Sequence, residues 1–137
     1  MSKKTLSISE DYDFGLIGIS SHAKDYRLCW ELNQLMKLNL VKKENISSRI
    51  SEDPAFTHYI YDDDENHLHY HLIGNKSSEG YFTTEIKQAD YFLLLQGDHA
   101  IDNATDCLPL INGAGTVLTA FEIDVLNLKT RDHFILE

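Results

Sequence analysis

The sequence predicts an α+β fold, an antiparallel sheet of about five strands with two main helices packed on one face. Three observations carry this expectation. Residues 91–95, Tyr-Phe-Leu-Leu-Leu, are five consecutive apolar side chains. That is too few for a membrane span and too unbroken for a strand with one wet face, so they read as a strand covered on both sides, the centre of the sheet. Residues 56–61 and 67–73 alternate in character on either side of Asp62-Asp63-Asp64-Glu65-Asn66, the pattern of a hairpin. Leu28, Cys29, Leu32, Leu35 and Met36 recur at helical spacing. With 137 residues the chain has the size of one domain, and we expect residues 1–137 to share a single core.

In chain order, residues 5–9 alternate Leu6 and Ile8 with polar neighbours, and residues 14–20 are rich enough in branched side chains to form a strand. A helix is expected at about 22–38, with Ser20 or Ser21 as its N-cap. Tyr26 and Trp30 fall on the back of that helix, opposite Leu28 and Leu32 and beside Asn33 and Lys37. Large aromatics are mostly buried, so coverage by another part of the chain is the preferred reading; the other is a partner surface formed by Tyr26, Arg27, Trp30 and Lys37. Residues 42–53 are polar and read as a loop. After the hairpin and a turn at 75–80, residues 83–89 lead into the central strand. A second helix is expected over 105–123, with Pro109 in its first turn; the alternative is a helix ending at Asn112 followed by a strand over 116–123. Asp124 is placed to cap a short turn, and residues 133–136 can add an edge strand.

Composition narrows the function classes. The hydrophobic fraction of 42% and charged fraction of 25% are ordinary for globular proteins, which excludes a fibrous or wholly disordered chain. The net charge of −10, from 22 acidic and 12 basic residues, repels phosphate backbones, so general nucleic-acid binding is not expected. Lys3 and Lys4 are followed by no apolar signal-peptide core, and no run reaches the length of a membrane helix. A cytoplasmic protein without membrane attachment is expected, with Cys29 and Cys107 as reduced thiols.

The sharpest chemical signal is His67-Leu-His-Tyr-His71. In a strand, His67, His69 and His71 would share a face about 6.6 Å apart, a spacing from which two can chelate zinc if a neighbouring strand supplies a third ligand. The competing reading is a polar strand face over packed Leu68, Tyr70 and Leu72. The facing residue, His58 or Tyr59, depends on a register that the five-residue turn does not fix. The carboxylates of residues 62–65 lack the glycine and distal glutamate of an EF-hand and read as a solvated turn. Glu85 and Asp90 have no nucleophile fixed beside them in the sequence, so they read as turn-closing acceptors of backbone N–H groups. Neither a phosphate-binding loop nor a Gly-x-Ser-x-Gly elbow is present.

Thr83-Thr-Glu-Ile-Lys-Gln-Ala-Asp-Tyr91 resembles the signature of the bacterial IPExxxVDY family, with Glu85, Asp90 and Tyr91 matching. Leu16-Ile-Gly-Ile-Ser20, Asp25-Tyr-Arg-Leu-Cys-Trp-Glu-Leu-Asn33, Leu72-Ile-Gly-Asn75 and Ala120-Phe-Glu-Ile-Asp124 are similar to that family as well. Thr83-Thr84 replaces the Ile-Pro of the signature and Ala89 its valine, which removes a rigid proline turn before Glu85. The resemblance implies a small cytoplasmic bacterial domain and carries no activity, cofactor or catalytic residue with it. The expected function is a non-catalytic interaction or adaptor module that binds another protein, or a second copy of itself, through the aromatic helix face. The alternative is a metal-binding domain or metal-dependent enzyme that holds zinc at His67, His69 and His71.

Overall fold

The computed structural model describes residues 12–48 and 53–136; the expected 5–9 alternation lies outside them. The order of elements is β1 (Gly15–Ser20), α1 (Asp25–Met36), β2 (Val41–Ile46), β3 (Phe56–Asp63), β4 (Leu68–Gly74), the short pair β5 (Lys76–Ser77) and β6 (Gly80–Tyr81), β7 (Tyr91–Gly97), α2 (Ala100–Asn112) and β8 (Thr119–Glu122). Two 3-10 turns, Val125–Asn127 and Arg131–Phe134, follow. The main sheet has six strands in the order β2-β3-β4-β7-β1-β8, and every pairing is antiparallel.

The apolar run 91–95 explains the position of β7. It pairs with β4 on one side and β1 on the other, and Phe92, Leu93, Leu94 and Leu95 are all fully buried. Because side chains alternate across a strand, these four can be buried together only if both faces are covered. On one face Leu93 and Leu95 join Ile17, Ile19, Tyr70 and Leu72 beneath Leu28, Cys29 and Leu32 of α1 and Ala100, Ala104 and Ile111 of α2. On the other, Phe92 and Leu94 join Leu16, Phe56 and Ile73. Both helices thus pack on one face, as the periodicity implied. The second face is closed by the 82–89 connection and the C-terminal turns, where Phe134 makes edge contacts with Phe82 and Phe92 at centroid distances of 5.3 and 4.9 Å.

Four local expectations are corrected. Residues 41–46 form an edge strand where a loop was expected. Backbone pairing of Val41 with Ile60 and Lys42 with Tyr59 makes this strand, although only Ile46 escapes full exposure, so no hydrophobic pattern announces it. The second helix starts at Ala100 and stops at Asn112, after which β8 takes residues 119–122, as in the alternative reading. Pro109 therefore lies near the end of α2 rather than in its first turn. The early start reflects packing: Ala100 and Ala104 seat against β1, where a Cβ on Gly15 would stand 2.6 Å from the Ala104 Cβ. The N-cap position of α1 is Lys24; Ser21 instead accepts the Ala23 N–H through its hydroxyl. Residues 131–134 curl into a 3-10 turn instead of an edge strand because Phe134 is drawn into the second core. Among the described residues, no helix is long and apolar enough to cross a membrane.

Candidate functional site

α1 turns Leu28, Cys29 and Leu32 into the core, which leaves residues near 26, 30 and 34 pointing away. Its C-terminal end is fixed by Asn33, whose side chain accepts the Leu40 N–H at 2.9 Å and donates to the Leu40 carbonyl at 3.2 Å. Tyr26 is 67% exposed and Trp30 64%. The expected coverage of this pair is thereby overturned: the helix needs only its Leu28 side to hold the sheet, and no described segment crosses its back. Arg27 and Lys37 are exposed beside the aromatic pair.

The charges of this face are divided in use. Asp25 accepts the Tyr59 hydroxyl at 2.7 Å, and Glu31 accepts the backbone N–H groups of Gly115 and Thr116 at 3.2 and 2.9 Å and the Thr116 hydroxyl. The Thr116 hydroxyl bond, more than any other influence, holds the Glu31 carboxyl below the usual range. Among the described residues, neither Arg27 nor Lys37 forms an ion pair. The acids of α1 are spent on the fold and its cations are presented to solvent.

The histidine stretch divides differently from its sequence spacing. β4 begins at Leu68, and His67 sits before it in the turn at φ 54°, so His67 does not belong to the strand row. His69 reaches across to Asp62, Nδ1 to Oδ1 2.7 Å. His71 faces His58 of β3, Nδ1 to Nε2 2.9 Å, and its Nε2 lies 3.2 Å from Oε1 of Gln96 on β7. Burial is the main cause that pushes both imidazoles down, His58 to about 4. A neutral ring carries one N–H and one bare nitrogen, so one ring of this pair donates and the other accepts. Both nitrogens of His71 are engaged in these bonds, and His69 is tied through its Nδ1. Among the described residues, no group of three His, Cys, Asp or Glu side chains is placed to hold a metal. His58 is the member of this cluster that the sequence left open, since the register pairing Ile60 with His71 decides which residue faces the row.

Glu85, Asp90 and Tyr91 are ties between distant segments. Glu85 accepts the N–H groups of Lys129 and Thr130 at 3.0 and 2.9 Å and the Thr130 hydroxyl at 2.8 Å, bonds that lower its pKa, the Lys129 N–H first among them. Asp90 accepts the Ser21 N–H at 2.8 Å through one oxygen and pairs with Lys76 at 2.6 Å through the other. Tyr91 donates its hydroxyl to the Ala23 carbonyl at 2.6 Å. Together they lock the entry to β7 onto the β1–α1 connection and the C-terminal turns. A scan against protein-family models gives no match, and a search of curated proteins gives none.

Proposed function

We propose that this chain is a non-catalytic protein-interaction module that docks a partner protein on the back of α1. The observation that carries the reading is the exposure of Tyr26 and Trp30, one helical turn apart, on a helix whose remaining attachments to the fold are complete. Tryptophan, tyrosine and arginine are the residues most enriched at interface hot spots, and here all three stand together. Charge supplies the rest. On a chain of net charge −10, this face presents the cations Arg27 and Lys37 while its acids are engaged internally, which suits a partner with an apolar patch bordered by carboxylates.

We also take the chain to be a relative of the IPExxxVDY family, acting in the bacterial cytoplasm. Glu85, Asp90 and Tyr91 support this by each making a long-range tie, the behaviour of an architectural signature, and Cys29 and Cys107 support it as free thiols.

The test is site-specific photo-crosslinking in the cell from position 30, with exposed Glu79 as the control position. The reading expects one discrete adduct from position 30 that disappears on Arg27→Glu and is absent from position 79. A dimer adduct would identify the partner as a second copy, checked by sedimentation. Identical adducts from both positions, or an adduct indifferent to Arg27→Glu, would overturn it.

A further inference from the structure

The aromatic helix face leaves a concavity elsewhere on the molecule unused. A cleft of about 580 Å³ opens where the entry to β1 meets the first turns of α2 and the end of β8. Small-molecule sites span roughly 300–1,000 Å³, so the volume is that of a ligand site rather than a surface dimple. Its walls are Phe14, Leu16, Ile101, Ala104, Val125 and Leu126. Ile101 and Leu126 are exposed, so the apolar wall continues to the mouth.

Three carboxylates also line the cleft, Asp13, Glu122 and Asp124, and no lysine, arginine or histidine does. Glu122 accepts the Thr105 hydroxyl at 3.1 Å and Asp124 accepts the Asn127 side-chain amide, both neutral donors that leave carboxylate acceptor capacity unused. Arg131 is not among the lining residues; it stacks on the Tyr12 ring at 4.8 Å and donates to the carbonyls of Leu126 and Leu128. An apolar concavity with charge of one sign at its rim focuses that field, and the chain's overall charge has the same sign.

The geometry points to a binding site for a small organic ammonium ion, with an apolar body against the Phe14–Leu126 walls and a protonated amine at the carboxylate rim. Burial of the body supplies affinity, and the rim selects the sign of the charge. An anion of the same shape would have to approach three carboxylates with no cation in the lining to receive it. The site is independent of the Tyr26 and Trp30 face.

The experiment compares 2-phenylethylammonium with 3-phenylpropanoate, two probes with the same ring and opposite charge, titrated into the isotope-labelled full chain and followed by amide chemical shifts. The expected result is perturbation confined to residues 13–16, 101–104 and 122–126. The ammonium should bind at least about ten-fold more tightly, with a ratio that shrinks as salt is added. Ile101→Arg should weaken the ammonium by a similar factor, and Asp13→Asn should reduce the ratio; both residues are exposed, so neither change disturbs the spectrum of α1. Equal affinity of the two probes, tighter binding of the carboxylate, shifts centred elsewhere, or no shift at millimolar probe would overturn the assignment.

Discussion

Nε2 of His58 lies 2.9 Å from Nδ1 of His71, and the two rings stack with their planes 15° apart. Such a pair has room for one shared proton and none for two charges. Protonation of one ring places a cation in the interior, and protonation of both would set two donors against each other with no nitrogen left to accept.

Stability should therefore fall on mild acidification. Both histidines have folded pKa values below their ordinary 6.5, His58 at about 4, so the unfolded chain takes up protons first. The contribution is fully present above about 6.5 and is lost as the pH falls toward about 4; for His58 alone it is on the order of 3 kcal/mol. The depressed carboxylates Glu31 and Glu85 lose their contribution only at lower pH, through the carboxylate range. Urea denaturation across this interval should show the loss beginning above the carboxylate range, and His58→Gln should flatten that upper part. A slope unchanged by His58→Gln would contradict the account.

Glu85→Ala should release the C-terminal turns. Three hydrogen bonds to one carboxylate end on Lys129 and Thr130. Their loss should cost about 1–3 kcal/mol. Trypsin reports it locally, since Lys129 and Arg131 lie in the released segment, and cleavage there should accelerate well before the rest of the chain is cut.

Phe134→Ala should be among the most damaging single changes. The ring is fully buried between Phe82 and Phe92. Removing it should cost about 3–5 kcal/mol, read as a lower midpoint in chemical denaturation.

Trp30→Ala should do almost nothing to the isolated chain. An exposed side chain away from caps and networks changes stability by no more than about 0.5 kcal/mol, whereas Leu32→Ala, on the buried side of the same helix, should cost about 2–5 kcal/mol. In the unmodified protein the single tryptophan should emit at long wavelength and be quenched readily by acrylamide. A blue-shifted, protected signal would mean that the face is already covered.

What the sequence made legible follows from how far each signal reaches along the chain. Residues 91–95 announced a doubly covered strand because burial on both faces removes alternation, and residues 56–73 announced a hairpin because each strand had its own period of two. Residues 41–46 announced nothing, since an edge strand held by backbone bonds needs no apolar pattern. The burial of Tyr26 and Trp30 was misjudged because average burial of aromatics says nothing about whether a given chain has a segment left to cover them. His58 joined the histidine cluster only through register, and the ammonium cleft draws on three separate segments, so neither had a local signature.

The strand order also sets a timetable. β1 is made early, yet Ile17 finds its sheet partners in Leu93 of β7 and Glu122 of β8. During synthesis the β2-β3-β4 meander can assemble first, with Tyr59 already offering a partner to Asp25 of α1, while β1 waits for β7 and β8. Closure of so distant a pairing carries a large loop entropy before any contact repays it, so folding should be slow for a protein of this size and should complete in one late step.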